Sequence, residues 1–93
     1  MNWTEIKPAD AGLRHAAFKT FERPNLAAMS YLIFDAERGW ELVVRIEAEG
    51  RRAVEAGRIR LAGPDEDEPT VGPITLAYAD AMAERATRGD GGG

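Results

Sequence analysis

The sequence contains no cysteine. That removes disulfides, thiolate nucleophiles and cysteine-based zinc sites from consideration. Histidine occurs once, at His15, and no Cys/His/Asp cluster has metal-ligand spacing. A surface or packing role is therefore expected for His15, and no metal or other cofactor is expected. No segment approaches the roughly 20 apolar residues that span a bilayer. The first residues lack the apolar core of a secretory signal, so the expected location is cytoplasmic, away from membranes. Lysine is scarce, with Lys7 and Lys19 the only two among 12 basic residues. Against 16 acidic residues the formal net charge is −4. A chain that neutralises many phosphates usually carries a basic excess, so nucleic acid is not the expected partner. The phosphate-binding glycine motifs and the nucleophile-elbow motif are also missing.

What is present is a set of short apolar segments divided by turn residues. Residues 28–35 include Tyr31-Leu32-Ile33-Phe34, apolar on both faces, as in a buried strand. Residues 35–39 then form a hairpin loop closed by Gly39, which tolerates positive φ. Across residues 40–48, Trp40, Leu42, Val44, Ile46 and Ala48 alternate with Glu41, Val43, Arg45 and Glu47. This predicts a strand with one core face and one wet face, Val43 being an apolar residue on the wet one. A second turn centres on Gly50. The third strand, 53–62, changes phase between Val54/Ala56 and Ile59/Leu61, and a β-bulge near Gly57 reconciles the two.

At the N-terminal side, Leu13, Ala17 and Phe21 recur every four residues, with Asp10 as N-cap and Arg23-Pro24 as a stop. This spacing predicts a helix over residues 10–22; the alternative is a strand over 14–22. At the other end, Pro73 stands at the favoured first position of a helix. There Ile74, Ala77, Tyr78, Ala81 and Met82 trace an apolar stripe expected to face the sheet. Residues 89–93 read as a flexible Gly-rich tail behind a single domain, 1–88.

The expected fold is thus α+β: a three-stranded antiparallel meander, four-stranded if the N-terminal segment joins it, packed against a C-terminal helix and an N-terminal helix in α-β-β-β-α order. In order and length, residues 10–87 resemble the double-stranded-RNA-binding domain. That family grips phosphate with a lysine-rich run at the start of its last helix. The matching stretch here, residues 71–76, has no positive charge and follows an acidic loop. In size and class the chain is also similar to small phage-encoded proteins, anti-CRISPR inhibitors among them.

Two charge patches remain as candidate contact surfaces. Asp65, Glu66, Asp67 and Glu68 form an acidic run between prolines, suited to a basic partner surface and lacking a calcium-chelating pattern. Arg45, Arg51, Arg52, Arg58 and Arg60 cluster on the second hairpin, with nearby glutamates to neutralise them. The functional expectation is a non-enzymatic protein-interaction module, an inhibitor or accessory factor of a phage or bacterium. Val43, Arg51, Arg52 and residues 65–68 would form its contact surface. The alternative is a weak nucleic-acid binder using the five arginines. A homodimer through a sheet edge or the outer face of the last helix is a third expectation.

Overall fold

The computed structural model describes residues 3–7, 13–21, 26–48 and 52–92, the last five as backbone. Five strands run in chain order: β1 (Thr4–Ile6), β2 (Leu13–Thr20), β3 (Leu26–Asp35), β4 (Gly39–Ala48) and β5 (Val54–Ala62). One helix, α1 (Pro73–Gly92), follows. The strands form a single antiparallel meander in which each pairs with its sequence neighbours. The class is α+β, with one helix packed on one face of a five-stranded sheet.

Three expectations are corrected. Residues 13–20 are strand, not helix; the expected N-cap Asp10 and the stop at Arg23-Pro24 lie outside the described residues. A spacing of four fits both periods, so it does not separate them: Ala17 and Phe21 share a face in a strand as they do in a helix. Leu13 is set apart from them by a register shift between Leu13 and His15. The short segment around Ile6 pairs with β2 as a fifth strand, which makes β2 an interior strand. Finally, α1 continues to Gly92, past the Gly89 at which the sequence places its end.

The β3–β4–β5 meander follows the sequence pattern. The β3–β4 register is regular from Leu26↔Ala48 to Asp35↔Gly39. The phase change on β5 is a bulge: Val44 pairs with Gly57 and Arg45 with Glu55, leaving Ala56 as the extra residue. A second shift, between Trp40 and Glu41, does the same at Leu61. Both extra residues pack against the core. At Gly57 the helix comes close, and a Cβ there would lie 2.8 Å from Met82 Sδ.

Alternation along β4 divides the sheet into two faces. Leu42, Val44 and Ala28 meet Ala79 and Ala83 of α1, and Trp3, Phe21, Ile46 and Met82 surround them. The sequence stripe is rotated away from this contact. Ala79 and Ala83 are fully buried, whereas Ile74 is 78% and Tyr78 59% exposed; Ala77 and Ala81 are exposed too. The smallest side chains lie against the sheet because they allow the closest backbone approach. Lys19 of β2 anchors the same helix by ion-pairing with Asp80 and standing 3.7 Å from Glu84.

The β3–β4 turn is held by Asp35, whose carboxylate accepts the backbone N–H of Glu37 at 2.7 Å and of Arg38 at 3.0 Å. The Arg38 N–H, then that of Glu37, holds the Asp35 carboxyl below its ordinary range. A folded state that binds this proton more weakly than the unfolded chain is favoured above about pH 4 and loses that contribution as pH falls through the depressed value. Asp35→Asn keeps an acceptor but does not titrate. Its urea midpoint should lie below that of the wild type near neutrality, and the two should converge in acid. A constant gap across the pH series would show that the Asp35 charge does not stabilise the turn.

Candidate functional site

The face of the sheet opposite α1 carries a trough of about 600 Å³. No described element lies over it. Its floor is apolar: Met29, Tyr31 and Ile33 from β3, Ala16 and Leu13 from β2, Ile6 from β1 and Val43 from β4. The register explains the gathering, because Ile6, Ala16, Tyr31, Val43 and Arg58 pair in sequence across all five strands. Lys7, Arg45, Arg58 and Glu55 supply its charged lining.

The electrostatics of the lining are uneven. Arg58 is tied on two sides, 2.7 Å from Glu55 and 3.2 Å from the buried Glu41. The Arg58 hydrogen bond lowers the Glu55 pKa, and the same bond, with its Coulomb attraction, raises that of Arg58. This pair stays ionised throughout the neutral range. Arg45 and Lys7 make no ion pair within 4 Å among the described residues. Burial, then the charge of Glu47, pushes the Tyr31 phenol upward, so Tyr31 stays neutral and offers an apolar ring with one hydroxyl.

The sequence-derived candidates fall in separate places. Val43, Arg45 and Arg58 line the trough. Arg60 shares that face, paired in register with Glu41. Arg52 is exposed ahead of β5, and Arg51 lies outside the described residues. As a phosphate-binding surface the five arginines are weakened, because Arg58 already holds two carboxylates.

The acidic loop is fastened elsewhere, at the end of the covered face. The Trp40 indole, 4.8 Å from the Phe34 ring, donates to the Glu66 carbonyl at 3.1 Å. The Glu66 carboxylate accepts the Gly63 N–H at 2.6 Å, and Glu68 pairs with Arg14 at 2.9 Å. Two of the four acids are thus structural ties, and Asp65 and Asp67 remain exposed without an ion pair among the described residues. His15 packs on the covered face, its Nδ1 3.8 Å from Glu5. A smaller cavity of about 310 Å³ lies between β1 and the start of α1, against Trp3, Glu5 and Leu76.

The trough floor was missed in the sequence except for Val43. The available signal was Tyr31-Leu32-Ile33-Phe34: a strand apolar on both faces calls for cover on both, and the described chain supplies one helix. Among the described residues, no group of three or more acidic or histidine side chains is placed to hold a metal ion. No described helix is long and apolar enough to cross a membrane. Comparison with protein-family models, with curated proteins and with solved structures finds no match to this chain.

Proposed function

We propose that this chain is a non-enzymatic protein-interaction module that receives an apolar segment of a partner protein across the uncovered face of its sheet. The observation that carries this is the trough, an apolar floor some four strands wide with cationic groups at its margin. A small-molecule site encloses most of its ligand, whereas this trough opens to solvent along its length, which suits a chain segment better. Burial of large apolar groups supplies affinity there, and Lys7 and Arg45 select for carboxylates beside them. Its ionised lining also suits binding better than turnover, since Glu55 and Arg58 neutralise each other and are poorly poised for proton transfer at neutral pH. Such a module acts by occupying a partner, as inhibitors and accessory factors do.

Selection of displayed peptides against the immobilised protein tests the reading. Enriched peptides should combine apolar residues with flanking Asp or Glu. Tyr31→Ala and Arg45→Glu should each weaken their binding about tenfold or more, equivalent to ~1.4 kcal/mol, with circular dichroism unchanged. Peptides that bind both variants as well as the wild type would remove the trough as the interface.

A further inference from the structure

The outer stripe of α1 and the trough are both apolar surfaces that no described element covers, and they lie on opposite sides of one molecule. Their charges are also opposed. The trough carries Lys7 and Arg45 without ion-pair partners among the described residues, and the loop leading into α1 carries Asp65 and Asp67 in the same condition. At the far end of the stripe stands exposed Arg85, and at the far end of the trough face stands exposed Glu47.

The dimensions agree. Lys7 follows the Ile6↔Ala16 pair, which places it at the level of Leu42 on β4. Leu42 and Glu47 are five residues apart, ~17 Å along the strand, and β1 lies three strand spacings, ~14 Å, to the side of β4, so Lys7 and Glu47 stand ~22 Å apart. Ile74 and Arg85 are eleven residues apart on α1, ~17 Å along a helix, and the acidic loop ahead of Ile74 extends that span toward the ~22 Å between the two charges of the trough face. A helix whose two opposite faces are both apolar is normally covered on both sides.

We infer that the trough receives α1 of a second copy of this chain, with Ile74 and Tyr78 on the apolar floor, the acidic loop toward Lys7 and Arg85 toward Glu47. The inference rests on the trough being a protein-docking face, as proposed above, and assigns its occupant. The contact is heterologous: the copy that offers its helix keeps its own trough open, so copies add head to tail into a filament or close into a ring.

Sedimentation across a concentration series gives the first reading, and a mixing experiment gives the decisive one. Wild-type mass should rise with concentration. The variant Ile74→Asp/Tyr78→Asp, altered only at exposed positions, should stay at the monomer mass, as should Lys7→Glu/Arg45→Glu. Mixed in equal amounts, the two variants retain one intact trough and one intact stripe, and should sediment together at twice the monomer mass. A wild type that stays monomeric at every concentration overturns the assignment, as does a mixture that stays monomeric when the wild type associates, since that marks a two-fold contact. In either case, trough-dependent peptide binding would leave the docking function standing with a different occupant.

Discussion

Gly39→Ala is expected to lower the stability of the domain by about 3–5 kcal/mol, combining a strained backbone with a steric clash. Gly39 has φ 96°, a conformation that residues with a Cβ seldom adopt. It also opens β4 beside the end of β5. A Cβ there would lie 2.3 Å from the Ala62 carbonyl oxygen and 2.6 Å from the Gly63 carbonyl carbon. Both are backbone atoms, so no rotamer change relieves the overlap. The chain must shift either the β3–β4 turn or the β4–β5 pairing, and the second also moves the Gly63–Glu66 contacts that fasten the acidic loop. A domain of this length has a total stability of roughly 5–14 kcal/mol, so the variant should be partly unfolded at moderate urea. Gly72→Ala is the matched control. A Cβ at Gly72 meets nothing within 4 Å, and Ala for Gly at this helix N-cap costs only about 0.5–1 kcal/mol. Equal urea midpoints for the two variants would refute the account of the hairpin.

That turn was legible in the sequence, along with much of the meander. Glycine after a short polar loop, alternation over residues 40–48, and the phase change relieved at Gly57 are local signals read by local rules. The unread parts have local causes too. Leu13, Ala17 and Phe21 are spaced by four, an even number that satisfies strand and helix alike. The first strand has three residues, too few to show any period, and takes its conformation from pairing with β2. The helix face was misassigned because Ile74 and Tyr78 outweigh Ala79 and Ala83 in hydrophobicity. Hydrophobicity measures what burial would gain, whereas a helix seated on a sheet is placed by how closely the backbones approach. The trough was hidden for a related reason. Tyr31 and Ile33 read as buried residues of an interior strand, and only the count of helices among the described residues shows that no described element covers one face.

The helix orientation yields a test with a large effect and a built-in contrast. Ala79→Leu and Ala83→Leu should each destabilise the fold by about 1–3 kcal/mol, because added methylenes in a close-packed contact force the surroundings apart. Both alanines are fully buried against Ala28, Leu42 and Val44. A leucine at either position lifts α1 from the sheet, loosening the Met82 contact at Gly57 and the Lys19 ion pairs together. The same substitutions one face away, Ala77→Leu and Ala81→Leu, fall at exposed positions and should change the monomer by no more than about 0.5 kcal/mol. The sequence stripe by itself predicts the reverse order, with residues 77 and 81 intolerant and 79 and 83 free. Urea midpoints of the four variants, measured in dilute solution where any self-association is absent, therefore decide which face of α1 the sheet holds. If Ala77→Leu proves the more damaging, the outer stripe is the core, and the case for an uncovered docking ridge on α1 falls with it.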